Sequence, residues 1–584
     1  MTERPIARRA VSTLEWVVVL ALCAAASLIA IGWSWHNGAL LNYGDAVAHL
    51  HIARRVFDSH LPRFSELGSV WLPLPHILMI PFVQVYGWWA NGIAGTIPSA
   101  LAFLGACAGF YRLARRWLSP VAAALAIAFF AANPNLLYLQ TTAMTEPLFV
   151  CEMLWITVWL VEWRADLDVD NKQSNRLLWL IALALVAAIF TRYDGWMMAL
   201  LGWLAIGITL ARRHRLRSRA FWLASLLVVA APLAWFAYNA AAFADWLYFV
   251  RGPYSAKAIE IRTAVPGFPP HPGWHNPWVS FLFYVKAAVM DATAAAWGNV
   301  LLPLSLFGAA WAWLTARRRG LAWALLLALP VPFYAYSVAY GSVPIFLPVW
   351  WPHSFYNLRY GVELLPAFAL ALGFAAQFLI AAVEQFKPRA IDPRWSVFAS
   401  TMLFVLVVLN ALQMLHERPL VYVEGTKNIQ AHRPYEVAIP PVLRALLAAR
   451  PGGVLLMVTS TDPRIVALTG IPLRQTINES DLQIYRDALA APAFHAALVL
   501  AFDGDEVDSA VHAHPQGLTL CRRFSAPGQP GAAIYVSDTP HATTFLKRTG
   551  TVLASLKGIS TNAGGAPVCG THRKLGHPQA VHLS

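Results

Sequence analysis

The segment STLEWVVVLALCAAASLIAIGW (12–33) decides the fold class, and the segment that follows it, SWHNGALLNYGDAVAHLHIARRVFDS (34–59), holds the first candidate chemistry. The first carries a single charge, Glu15, near its start. An α-helix rises 1.5 Å per residue, so a run of about 20 apolar residues matches the hydrocarbon thickness of a bilayer. Arg4, Arg8 and Arg9 precede the run, and no clean small-residue cleavage site follows it, so it reads as a retained anchor rather than a signal peptide.

Working outward, runs of the same kind recur near 92–113, 120–139, 146–163, 177–191, 195–211, 220–242, 295–315, 321–339, 361–383 and 397–415. That makes about eleven spans. Whole-chain composition agrees. Of 584 residues, 58% are hydrophobic and 13% charged, against about 25% charged in a typical soluble domain. Mean hydropathy is +0.52. The 25 Trp residues suit a protein with two membrane interfaces to occupy. The net charge of +14 would point to nucleic acid in a soluble protein. Here the arginines stand in short clusters between apolar runs, so no nucleic-acid partner is expected and the bilayer is.

Those clusters set an orientation. Arg112, Arg115 and Arg116 follow the second span, and Arg164, Lys172 and Arg176 the fourth. Arg212, Arg213, Arg215, Arg217 and Arg219 follow the sixth, Arg317, Arg318 and Arg319 the eighth, and Lys387, Arg389 and Arg394 the tenth. Basic residues stay on the cytoplasmic side, so the N-terminus is expected inside and the C-terminus outside. This parity excludes residues 71–90 as a span, and Pro73, Pro75 and Pro81 fit a helix lying against the outer interface instead.

The outer side then carries loops at about 34–91, 243–294 and 340–360, together with the chain beyond the last span. We divide the chain into a membrane domain, 1–415, an extracytoplasmic α/β domain, 416–555, and a disordered tail, 556–584. In the α/β domain GVLLMVT (453–459), AALVLAF (496–502) and AAIYVSD (532–538) read as strands, and 480–490 as a helix. DPRIVALTG (462–470) reads as a short helix stopped by Gly470. Cys23, Cys107 and Cys151 fall in apolar runs, and whether Cys521 and Cys569 pair is open.

The polar residues of interest fall on the outer side. Asp45 opens the first loop as an N-cap of an amphipathic interfacial helix, with His49 one turn on along the same face. Thr145-Glu146-Pro147 begins the fourth span, with Thr145 as its cap. Arg192 and Asp194 sit in the turn TRYDGW (191–196). Asn357-Leu358-Arg359-Tyr360-Gly361 stands at the outer end of the tenth span, with Glu363 just inside. RGPYSAKAIEIR (251–262) brings Tyr254 and Lys257 from the second loop. Each has a plain reading: a helix start, a turn ion pair, a snorkelling arginine, a solvated lid. Carboxylates and cations gathered on one membrane face nonetheless suit a lipid phosphate and a hydroxyl acceptor.

The ordered set Tyr43-Gly44-Asp45, YRLARRW (111–117), MTEP (144–147), TRYDGW (191–196) and NLRYG…LP (357–366) resembles the GT-C superfamily of polytopic glycosyltransferases. It is most similar to the family 39-like bacterial branch of protein O-mannosyltransferases and aminoarabinose lipid A transferases. The resemblance spans roughly residues 10–415. It implies transfer of a monosaccharide, usually with inversion, from a polyprenyl-phosphate carrier to a hydroxyl of a lipid, glycan or protein. That would take place at the outer face of a bacterial inner membrane. The family's first-loop acid maps onto Asp45, the expected general base; this sequence has one acid there where some relatives carry a pair, so Asp45 is expected to act alone or together with Glu146 as a second catalytic carboxylate. Arg359, then Arg192, then Lys257, are expected to hold the leaving phosphate. His49, His76, Tyr193, Asp194, Tyr254 and Tyr360 are expected against substrate. No cofactor is expected; two carboxylates could hold a divalent ion on the phosphate, but a metal-free site is favoured because oxygen ligands are sparse.

Two other classes compete. A transporter or flippase of lipid-linked sugars would show inverted repeats and broken midplane helices, and no repeat is visible. A membrane-anchored sensor or binding protein would use the α/β domain for its ligand and leave the loop carboxylate and outer arginines without a task.

Overall fold

The computed structural model describes residues 11–167, 169–264, 267, 269–316, 320–385, 394–539 and 580–582. Arg317–Arg319, Lys387, Arg389, Cys569 and most of the expected tail lie outside these. The chain forms two compact units. The first comprises Met1–Leu40, Ser69–Leu78 and Gly95–Gly425; the second comprises Leu41–Gly68, Met79–Ala94 and Thr426–Ser584.

Unit one is helical. Among the described residues of the chain, nine helices are long and apolar enough to cross a membrane. Two expected spans fall short of that measure for visible reasons. The run 120–139 breaks into Pro120–Ala131 and Pro134–Leu139. Pro134 cannot donate to the preceding turn, and Asn133 caps the second piece by accepting from Asn135 N and Leu136 N. The helix Glu146–Asp166 is long enough but carries Glu146, Glu152, Glu162 and Arg164. Residues 71–90 form only Leu74–Val83 and Tyr86–Asn91, too short to span. Cys23, Cys107 and Cys151 are free thiols.

Ion pairs and hydrogen bonds tie the basic turns after the second, fourth and sixth spans together at one end of this unit. Arg112 makes a two-pronged contact to Glu162, at 2.8 Å on each oxygen. Arg115 pairs with Glu15 at 2.6 Å, and Arg215 donates to Leu167 O and Asn171 Oδ1. The start of the first helix and the basic ends of the second, fourth and sixth spans therefore meet. Glu146 and Glu162 occupy opposite ends of one helix about 30 Å long. Whatever gathers around Glu146 is thus at the far end from the basic turns.

Unit two holds a sheet of order β2-β1-β3-β5-β4-β6. The strands are β1 (Leu455–Met457), β2 (Thr476–Ile477), β3 (Leu498–Phe502), β4 (Leu518–Ser525), β5 (Ala532–Ser537) and β6 (Ala580–His582). β1 runs parallel to β2 and β3, and every residue of β1 and β3 is buried, as strands covered on both faces require. The helix Arg464–Thr469 ends at Gly470 with φ +86°, as the sequence predicts. Several elements went unread, among them β4, β6, the helix Glu506–Ala513 and the 29-residue helix Leu420–Ala448 that leads into this unit.

Most of the first loop, Leu41–Gly68 and Met79–Ala94, belongs to the same unit. Its helix Gly44–Arg55 is packed within protein rather than laid open along one face: Ala46, Val47 and every residue from His49 to Arg54 are buried. Arg54 stacks over Tyr86 and Trp89, with 5.2 and 4.6 Å to the ring centroids, and donates to Asp58 at 2.7 Å. Asp58, 1% exposed, also accepts from the backbone amides of Leu473 and Arg474 at 3.3 and 3.4 Å. Arg55 donates to Ser480 at 2.6 Å, and the His60 ring bonds the Thr476 carbonyl at 2.8 Å. The loop is stitched to the α/β sheet by polar groups hundreds of residues away in sequence.

Candidate active site

In unit one, four helix ends bring two arginines into a nest of carboxylates. TRYDGW supplies Arg192 from a turn of minimal length. The helix Asn171–Thr191 ends and Tyr193–Arg212 begins across that one residue. A Cβ on Gly195 would lie 2.2 Å from the Ala188 carbonyl oxygen, so only glycine fits there. Arg192 donates to Thr145 Oγ1 at 2.8 Å, to Glu146 Oε1 at 3.2 Å and to the Tyr334 hydroxyl at 2.7 Å. It also pairs with Asp194 at 3.2 Å and Glu363 at 3.1 Å. Thr145 therefore does not cap its helix; its hydroxyl serves Arg192 instead.

The segment NLRYG places Arg359 against the same acid. Gly361 lets this segment pack closely on the helix Pro277–Ala292, because a Cβ there would meet Asp291 Oδ2 at 2.5 Å and Ala288 N at 2.7 Å. Arg359 donates to Glu146 Oε1 at 3.2 Å and to Glu424 Oε1 at 3.4 Å. Glu146 thus bridges two guanidinium groups through one oxygen. The Tyr360 ring lies beneath both, with 5.1 Å to the Arg192 carbon and 4.9 Å to that of Arg359, and it stacks on Tyr334 at 4.9 Å. Tyr334 donates to Glu363 at 2.8 Å. All of these acids are nearly or fully buried, so each charge has been removed from water and is held by its partners.

Asp291 adds a further buried carboxyl, 1% exposed, at the end of the helix Pro277–Ala292. Its carbonyl accepts from the Asn133 and Asn135 side chains, while its carboxyl oxygens have no hydrogen-bond partner among the described residues. Burial, with the charge of Glu424 nearby, pushes it well above the usual carboxylate range. Among the described residues, no group of three or more His, Cys, Asp or Glu side chains is placed to hold a metal ion.

Of the residues expected from sequence, Glu146, Arg192, Asp194, Arg359 and Tyr360 come together. Lys257 does not join them through any described contact; it is largely exposed on the helix Ala256–Thr263 and pairs with Glu260 at 2.5 Å. Tyr254, half-buried, lies under Arg262. Tyr193 donates to the Val70 carbonyl and stacks on Phe249. His76 is fully buried in unit one. Asp45 and His49 belong to unit two, where His49 is 2% exposed and Asp45 half-buried. Asp45 is not an N-cap: the helix begins at Gly44 with Tyr43 as cap, so Asp45 stands inside the first turn. Sequence reasoning missed Tyr334, Glu424 and Asp291 as site residues. Tyr334 is one aromatic among many in its span, and Glu424 sits on the helix that went unread.

No protein-family model matches the chain, and no curated protein matches it in sequence. Solved structures do. The chain is similar to the crystal structure of ArnT from Cupriavidus metallidurans bound to undecaprenyl phosphate, at TM-score 0.53 and 15% identity, over 90% of this chain and 98% of that one. The apo state of the same protein matches at TM-score 0.48 and 16% identity, over 89% and 98%. With the spans and the small sheet already described, the first of these matches shows that the chain has the ArnT fold.

Proposed function

We propose that this chain is a glycosyltransferase that moves a monosaccharide from a polyprenyl-phosphate carrier to a hydroxyl acceptor, with inversion, at the outer face of a bacterial inner membrane. The observation that carries the reading is the fold shared with ArnT in its undecaprenyl phosphate complex. The buried Arg192–Glu146–Arg359 bridge supports it from the chain's own residues.

The chemistry asks for two things. A hydroxyl is a poor nucleophile, so a carboxylate must take its proton as it attacks the anomeric carbon. We assign this to Asp45, because Glu146 already has its charge shared between two guanidinium groups. As the new glycosidic bond forms, the bond from the anomeric carbon to the phosphate oxygen breaks and leaves its electron pair on the phosphate. That group is already acidic and needs cations rather than a proton. Arg359 is assigned first, and Arg192 behind it. Their present carboxylate partners would be exchanged for phosphate oxygens, beginning with the longer contact to Glu424. Tyr360 and Asp194 hold the two guanidinium planes in place. The acceptor is a lipid, glycan or protein hydroxyl.

Mass spectrometry of products tests the reading. Purified protein in lipid vesicles is incubated with a panel of polyprenyl-phosphate sugars and candidate acceptors. A glycosylated acceptor with release of polyprenyl phosphate is expected. Movement of intact donor across the vesicle bilayer, with no product, would overturn the assignment in favour of a flippase.

A further inference from the structure

The helix that carries Asp45 begins without a cap of its own. Tyr43, at the cap position, has extended backbone, and its side chain makes no capping hydrogen bond to the first-turn amides. Such ends leave orphan N–H groups that need an acceptor. Here the acceptor comes from far along the chain. Asn428 Oδ1 accepts from the Gly44 amide at 2.9 Å, across 384 residues of sequence. Two positions earlier on the same long helix, Thr426 Oγ1 accepts from Asn42 Nδ2 at 3.4 Å. Asn42 and Tyr43 are buried, so this turn is held on both sides of the cap. All these groups lie in unit two.

We infer that Asn428 is a positioning residue for Asp45: it supplies the missing cap in trans and so fixes where the Asp45 carboxylate points. The inference rests on the proposed role of Asp45 as base. It also gives the helix Leu420–Ala448 a part in the reaction without requiring Asn428 to touch substrate. A base must hold its geometry closely, since a displacement of about 1 Å can cost on the order of 10²-fold in rate. An amide oxygen on a helix running from a separate segment sets the direction of the first turn, which a free end would leave to fray.

The test uses the full-length protein in vesicles, assayed with whichever polyprenyl-phosphate sugar of the panel gives product. Asn428→Ala is expected to lower kcat by roughly tenfold or more with KM for the donor little changed. Asn428→Asp keeps the accepting oxygen and is expected to restore kcat. Placed on an Asp45→Asn background, Asn428→Ala should cost nothing further, because the two act as a unit. Hydrogen exchange read on the peptide covering residues 42–50 should speed up in Asn428→Ala and return to normal in Asn428→Asp. Full kcat in Asn428→Ala, a loss that Asp does not restore, or an undiminished second loss on the Asp45→Asn background would overturn the inference. If Asp45→Asn itself turns over normally, the base assignment fails, while the exchange measurement still decides whether Asn428 caps the helix.

Discussion

Asp45 and Arg359 carry different weights once their surroundings are known. Asp45 stands in the first turn of a helix capped by another residue, so replacing it with Asn removes a charge without removing the cap. Asp45→Asn is expected to change the melting temperature little, and turnover should fall by roughly 10² to 10⁴-fold, the usual worth of a positioned base. A normal turnover number would move the base to another carboxylate, Glu146 first. Arg359 is a harder residue to remove. It is one of two guanidinium partners of Glu146 and also reaches Glu424 in a buried site, so Arg359→Ala removes charged contacts to both carboxylates and should destabilise the fold by about 1.5–3 kcal/mol. Arg359→Lys keeps the charge and loses the fork. It should fold, bind donor more weakly and turn over more slowly. Unchanged donor affinity in Arg359→Lys, measured by direct binding, would shift the phosphate contact to Arg192.

At the scale of elements, the junction of the first loop with the α/β sheet is a titratable joint. Glu66, 7% exposed, has its carboxyl pushed up to about 7 by burial, against the opposing pull of Arg55 and Arg63 and with Asp481 adding to the rise. A raised acid pKa means the folded state holds its proton more tightly than the unfolded state does. The stabilisation is therefore complete below the ordinary value of 4.5 and is lost as pH rises towards about 7. Melting curves of wild type and Glu66→Gln across that window check this. The wild type should lose stability relative to the variant as pH rises, and a constant difference would show that Glu66 titrates normally. How far such elements were legible depended on the range of their contacts. β1 and β3 read as strands because burial on both faces leaves an unbroken apolar run. The helix Gly44–Arg55 was legible as a helix but not in its burial, because His51 and Arg54 look like a solvent face until Trp89 packs against both and Tyr86 against Arg54.

Across the whole molecule, the described contacts place the basic ends of the second, fourth and sixth spans at one end of the helical unit, and Glu146 begins the helix Glu146–Asp166 at the other. Which end faces the cytoplasm follows from the positive-inside rule. Reporter fusions after residues 116, 219 and 319 should report cytoplasm, and fusions after 60, 270 and 420 the outside. A cytoplasmic signal at 420 would invert the placement and put Arg359 on the wrong face for an extracytoplasmic donor.

Hydropathy by itself determined the membrane class and the order of the helices, because the cost of burying charge in lipid is written locally in every run of about 20 residues. It also placed Glu146, Arg192, Asp194 and Arg359 correctly at helix ends, since polar residues at the edge of an apolar run have nowhere else to go. Only the tertiary structure decided what those ends meet. Arg359 and Glu146 are 213 residues apart, and neither Tyr334 nor Asp291 differs in sequence from an ordinary span or loop residue. Asn428 reaches Gly44 across a longer separation still. Such pairings rest on helix packing and on which buried charges find partners, and those are properties of the assembled fold that leave no periodic trace in the chain.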